Sequence, residues 1–98
     1  MRFARNVHFQ IKSGKHDDFK KVLTGEVLPL LKSQKGFREE VMLLERDRGM
    51  AISLWEDRPS AEAYQTTTYP QVMQKLSPML EGTPKVETYD VAATTLRS

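Results

Sequence analysis

An α+β fold, with one four-stranded antiparallel sheet and helices on one of its faces, is predicted by three features of the sequence. Apolar and polar residues alternate in the amino-terminal ten residues and again around Trp55, two later stretches carry apolar residues at helical spacing, and turn residues separate these segments. The resulting order of elements is strand, helix, strand, strand, helix, strand.

The first strand runs from Phe3 to Lys12, with Phe3, Val7, Phe9 and Ile11 on one side and Ala4, Asn6, His8 and Gln10 on the other. Arg5 alone interrupts the apolar side. Ser13 is the expected N-cap of the first helix, Asp17 and Asp18 suit the positive end of its dipole, and Phe19, Val22, Leu23, Val27 and Leu30 make its buried stripe. Gly25 and Pro29 disfavour a helix, so a kink or early end is expected near Val27.

Gly36 opens a second strand, Phe37 to Arg46, whose two faces both mix apolar and charged residues and stay ambiguous. Asp47-Arg48-Gly49 makes a tight return into a third strand, Met50 to Glu56. Ser60 caps a helix carrying Ala61, Ala63 and Tyr64, which the β-branched stretch Thr66-Thr67-Thr68 and Tyr69-Pro70 should break. A further helix bears Val72, Met73, Leu76 and Leu80; Gly82-Thr83-Pro84 ends it, and Lys85 to Ala92 is the last strand. The plan is ferredoxin-like, βαββαβ.

Alternation in the third strand puts Met50, Ile52 and Leu54 on one face and Ala51, Ser53 and Trp55, the single tryptophan, on the other. Taking the first set as the core leaves Trp55 on the uncovered face of the sheet, together with Met42 and Leu44 or their neighbours. A second copy packed on that face would cover them, so a homodimer is expected, each half enclosing a cavity beside its own Trp55.

The 98 residues are expected to form a single domain, 1–98. Fifteen basic and 13 acidic residues leave a formal charge of +2, interspersed along the chain, which argues against a nucleic-acid partner. There is no cysteine, no run approaching the roughly 20 apolar residues that span a bilayer, and no apolar leader, so a cytoplasmic protein with no membrane partner is expected. Neither a phosphate loop, a nucleophile elbow nor metal-ligand spacing is present, and no metal or cofactor is implied.

Gly36-Phe37, the strand end Ser53-Leu54-Trp55-Glu56, the helix Ser60-Ala61-Glu62-Ala63-Tyr64 and the closing Val86-Glu87-Thr88-Tyr89-Asp90-Val91 resemble, in order and spacing, the antibiotic biosynthesis monooxygenase domain family of dimeric α/β barrels. The resemblance spans essentially the whole chain. In the cofactor-free oxygenases of that family an electron-rich aromatic reacts with oxygen after losing a proton in a dry pocket. The resemblance implies that Trp55 matches their pocket tryptophan, while Ala51 stands where they keep a pocket asparagine. In the haem-degrading branch the first-strand asparagine matches Asn6, the helix tryptophan falls on Tyr64 and the iron-binding histidine on Gln74, which implies no haem chemistry by that route.

The candidate site residues are therefore His8 and Asn6 for catalysis, with Trp55, Tyr64 and Tyr69 for binding. His8, or a water held by Asn6, would withdraw the substrate proton, while Trp55 stacks on the ring. The adjacent pairs Asp17-Asp18 and Glu39-Glu40 read as solvated charges because neighbouring residues point apart, and Lys75 reads the same way. The expected function is that of a cofactor-independent monooxygenase acting on a small, apolar or aromatic, phenol- or quinol-type molecule. The alternative is a non-catalytic ligand-binding dimer, which Ala51 favours, with haem binding third.

Overall fold

The computed structural model describes residues 2–96. Its strands β1 (Phe3–Ile11), β2 (Phe37–Glu45), β3 (Arg48–Trp55) and β4 (Leu80–Asp90) form one sheet in the order β2-β3-β1-β4, and every neighbouring pair is antiparallel. The helices α1 (His16–Val22), α2 (Leu28–Lys32), α3 (Arg58–Thr67) and α4 (Tyr69–Leu76) contribute buried residues to the same core. This is the expected ferredoxin-like α+β plan.

Helix α1 begins at His16 without a side-chain cap, so Ser13 lies outside it. Gly25 and Pro29 do not end the helical path. A π-helical stretch, Leu23–Val27, joins α1 to α2, and the Leu28 N–H reaches the Leu23 carbonyl five residues back. The widened turn accommodates a proline that has no N–H and would crowd the carbonyl of residue 25 in a regular helix. It also carries Leu23 and Val27 into the core.

The β2–β3 connection is tighter than expected. Glu45 pairs with Arg48 across a turn of Arg46 and Asp47, with Arg46 in the left-handed region at φ 55°. Asp57, rather than Ser60, is the N-cap of α3 and accepts a hydrogen bond from the Ser60 N–H at 2.9 Å. The threonine stretch separates α3 from α4 as expected, and buried Thr68 donates to Gln34 Oε1 at 3.0 Å. The Gly82-Thr83-Pro84 segment is not a loop but part of β4, in a bulge where the register against β1 jumps from His8↔Lys85 to Gln10↔Glu81.

Register fixes which face of the sheet meets the helices. Trp55 pairs with Phe3, Ser53 with Arg5 and Ala51 with Val7, so Ala51, Ser53 and Trp55 share the helix-covered face with the apolar side of β1. Trp55 is 0% exposed and is wedged between Phe37 and Tyr64, at ring-centroid distances of 5.5 and 5.0 Å. The expectation that Trp55 points to the uncovered face is therefore reversed: Met50, Ile52 and Leu54 take that face, opposite His8, Asn6 and Ala4. Met42 and Leu44 also turn toward the helices, and their neighbours Val41 and Leu43 are the residues left outside.

In β2 the register shifts between Phe37 and Glu39, so that Phe37 opposes Trp55 and Glu39 already opposes Leu54. Arg38 is the extra residue, and one extra residue exchanges the faces of all that follow. Glu40, paired with Ser53, is thereby turned to the helix side, contrary to its reading as a solvated charge. A strand carrying such a bulge has no single alternation, which is why its sequence reads ambiguously.

Gly36 enters β2 at φ 82°, and a Cβ there would lie 2.5 Å from Ser60 Cβ at the start of α3. Gly36→Ala is expected to lower unfolding stability by about 1–3 kcal/mol in a denaturant titration, through a strained backbone and a displaced helix start. A change smaller than experimental error would show that α3 yields at this junction.

Candidate functional site

Between the sheet and the helices lies a cavity of about 50 Å³. Its wall is mostly apolar, from Val7, Phe9, Phe19, Leu23, Val72 and Met73, and its polar atoms come from Arg5, Glu40, Ser53, Tyr64 and Tyr69. The space exists because β3 presents small residues here: Ala51 and Ser53 face the helices between larger side chains on β1 and β2.

Arg5 is the centre of this group. It is 3% exposed, and its guanidinium lies 4.5 Å from the Tyr69 ring centroid and 5.1 Å from that of Tyr64. Its Nη2 donates to Gln65 Oε1, it shares a hydrogen bond with Tyr69, and its Nε has no hydrogen-bond partner. No carboxylate of the described residues comes within ion-pair distance of it. Burial draws its pKa down, opposed by the phenol groups of Tyr64 and Tyr69 and by Glu40. A buried cation balanced by rings and an amide is an acceptor for negative charge.

Glu40 complements it. Burial pushes its carboxyl up to about 7, and the positive charge of Arg5 limits that rise. It is therefore divided between acid and carboxylate at neutral pH, the condition for a proton acceptor that also gives its proton back. Burial likewise raises both Tyr64 and Tyr69, with Arg5 opposing the shift, so both remain phenols that can donate hydrogen bonds. Trp55 Nε1 donates to Ser53 Oγ at 2.9 Å, which holds that hydroxyl beside the cavity and the indole behind Tyr64.

Of the residues singled out in the sequence, the fold brings Trp55, Tyr64 and Tyr69 together, with the Tyr64 and Tyr69 rings 6.0 Å apart. It does not bring His8 and Asn6 to them. Both project from the opposite face of β1; His8 lies 3.2 Å from Glu87, and Asn6 Oδ1 is buried there without a partner. His16 holds the β2–β3 turn through the Arg46 carbonyl at 2.7 Å and Asp47 at 3.3 Å, so neither histidine lines the cavity. Gln74 is exposed on α4, and Lys75 pairs with Glu26 at 3.0 Å.

Sequence reasoning missed Arg5 and Glu40. The first carried a signal, since it is the one charge on an otherwise apolar strand side. The second carried none, because its facing depends on the Arg38 bulge.

Among the described residues no three His, Asp or Glu side chains converge as metal ligands, and no helix is long and apolar enough to cross a membrane. No curated protein matches the chain. Solved structures do: a protein of unknown function from Nitrosomonas europaea, NE2512, shares 17% identity at a TM-score of 0.85, covering 99% of this chain and 95% of that one. SnoaB, a cofactor-independent oxygenase from Streptomyces nogalater, shares 15% identity at a TM-score of 0.80, covering 98% of each chain. The ActVA-Orf6 monooxygenase of Streptomyces coelicolor, solved with nanaomycin D, shares 19% identity at a TM-score of 0.76, covering 98% of this chain and 92% of that one. At these identities the likeness is one of fold. The antibiotic biosynthesis monooxygenase model matches residues 2–76, and the chain belongs to that family.

Proposed function

We propose that the protein is a cofactor-independent monooxygenase that oxidises a small, electron-rich phenol- or quinol-type aromatic at the cavity between the sheet and the helices. One observation carries the reading: in a largely apolar enclosure, a carboxyl poised near neutrality, Glu40, shares a wall with an unneutralised guanidinium, Arg5. That pair is suited to taking a proton from an acidic O–H or C–H and holding the anion that results. The family match, and the cofactor-independent oxygenase among the structural relatives, support the reaction class.

In this mechanism Glu40 accepts the substrate proton, and the anion rests against Arg5 and the phenol groups of Tyr64 and Tyr69. The anion passes one electron to dioxygen, and the radical pair joins through a new C–O bond. The peroxide takes back the proton; loss of water then breaks the O–O bond and leaves a carbonyl. The balance is one ring C–H and one O–H, with one dioxygen, giving a quinone and one water. Trp55 acts at one remove by holding Tyr64 and Ser53 in place.

The uncovered sheet face supports a homodimer. Val41, Leu43 and Tyr89 are 44, 49 and 51% exposed, and Met50, Ile52 and Leu54 lie on the same face. His8 and Asn6 would then belong to the face between copies.

Glu40→Gln is expected to lower turnover of 1,8-dihydroxyanthrone, followed by oxygen uptake, 10²–10⁴-fold, as loss of a general base does. In the unsubstituted protein kcat/KM should rise with pH, half-maximal at about 7, the Glu40 value, and level off above it. Unchanged turnover in Glu40→Gln, with a loss in His8→Ala, would move the base to the other face of β1.

The same carboxyl works against stability. Its folded pKa of about 7 exceeds the ordinary 4.5, so stability fully present below about pH 4.5 is lost as pH rises through 7. Glu40→Gln should therefore be more stable than the unsubstituted protein by about 1–3 kcal/mol at pH 8 and equal to it at pH 4, by urea denaturation. For the dimer, Leu43→Lys should yield monomers in sedimentation equilibrium; retention of the dimer would place the contact elsewhere.

A further inference from the structure

The cavity has too little room for the ring it is proposed to treat. Its roughly 50 Å³ accommodates a few waters, at ~10–15 Å³ each, whereas small-molecule sites run to several hundred. A second space adjoins it. Along the outer edge of the sheet, α3 and β4 flank a groove of about 300 Å³, lined by Phe3, Arg58, Ala61, Gln65, Val86 and Thr88. The groove remains open because α3 packs on β1 and β3, leaving the helix-side residue Thr88 of β4 exposed.

Arg5 lines both spaces and is the wall between them. On the groove side its Nη2 is held by Gln65 Oε1, on the cavity side the guanidinium lies against the Tyr69 ring, and Nε is unpartnered. The bond to Gln65 is to a neutral amide on an otherwise exposed residue, so it exchanges more easily than a carboxylate pair would. The groove floor is apolar, from buried Phe3 and Ala61 with half-buried Val86, and Arg58 lies 4.7 Å from the Phe3 ring centroid at its rim. Arg58 is paired with Asp90 at 3.8 Å and Glu62 lies on the α3 side, so Arg5, without a carboxylate in contact, is the cation that suits an ionised oxygen on a flat ring lying on the apolar floor.

We infer that the α3–β4 groove is the outer half of the substrate site: an aromatic carrying a phenolate or carboxylate oxygen lies on Phe3, Ala61 and Val86, and it joins the inner cavity when Arg5 exchanges Gln65 for that oxygen. This rests on the cavity being the reaction site, since it names how substrate reaches it and which substrates qualify. Gln65 is a positioning residue that holds the partition shut until an anion arrives.

The test uses 1-hydroxy-2-naphthoate as probe, with binding followed by quenching of Trp55 fluorescence. Thr88→Phe fills the groove from an exposed strand position, and Gln65→Glu gives Arg5 a carboxylate that the probe must displace. Each is expected to weaken binding at least tenfold. The neutral 2-methoxynaphthalene should bind at least tenfold more weakly than the anion to the unsubstituted protein. Gln65→Ala should speed association in stopped flow, because the partition is no longer held.

No binding by the unsubstituted protein, affinity within twofold of it in both Thr88→Phe and Gln65→Glu, or equal affinity for the neutral probe would overturn the inference. Its failure is separable from that of the reaction. Oxygen uptake that depends on Glu40 but not on Thr88 or Gln65 would remove the groove and keep the oxygenase. Groove-dependent binding with no oxygen uptake from any phenol or quinol would do the reverse.

Discussion

A guanidinium buried in the layer between sheet and helices is the constraint around which this structure is arranged. Arg5 occupies an inward position of the central strand β1, where an apolar side chain would otherwise complete the core. Desolvating a charge there is costly unless its surroundings return most of the lost hydration. The fold supplies two tyrosine rings, a tyrosine hydrogen bond and the Gln65 amide, and opposite Arg5 it places Ser53 rather than a bulky residue. What it does not supply is a carboxylate in contact, so the charge is only partly balanced within the described residues.

The other features of the site follow from that imbalance. Glu40 is close enough for Arg5 to moderate its raised pKa, yet burial dominates, and the carboxyl is left near neutrality instead of locked as a counter-ion. A closer pair would have held the carboxyl ionised, because an opposite charge in contact favours the charged form. Holding an acid, a cation and two phenols in an apolar enclosure costs stability, and the cost is concentrated where polar groups face the cavity. Trp55 belongs to the supporting layer: fully buried, bonded to Ser53 and stacked on Tyr64, it fixes the wall without lining the space.

Both faces of the sheet are apolar, and this explains what the sequence concealed. In β3 the larger apolar set, Met50, Ile52 and Leu54, faces away from the helices, while the set containing two small residues faces the core. A reading that assigns the more apolar set to the core assumes that one face meets water. Here small residues on the inside leave room for the cavity, and the outside keeps Met50, Ile52 and Leu54 beside exposed Val41 and Leu43. The bulge at Arg38 compounds the problem, since it exchanges the faces of β2 and brings Glu40 inward without any mark in the local composition.

The sequence by itself determined the order of the elements, their approximate limits, the hairpin, a helix break within the stretch from Thr66 to Pro70 and the pairing of Trp55 with Ala51 and Ser53 on one face, because these depend on local periodicity and turn chemistry. It also carried the family resemblance. Only the tertiary structure decided which face of each strand is inside, that the helical path continues through Pro29 by way of a π-helical turn, and that Arg5, Glu40, Tyr64 and Tyr69 meet around one cavity. Alternation is symmetric under exchange of the two faces, so a strand cannot specify its own inside. Cross-strand register, bulges and the helices that cover one face break that symmetry, and all three are properties of the assembled sheet.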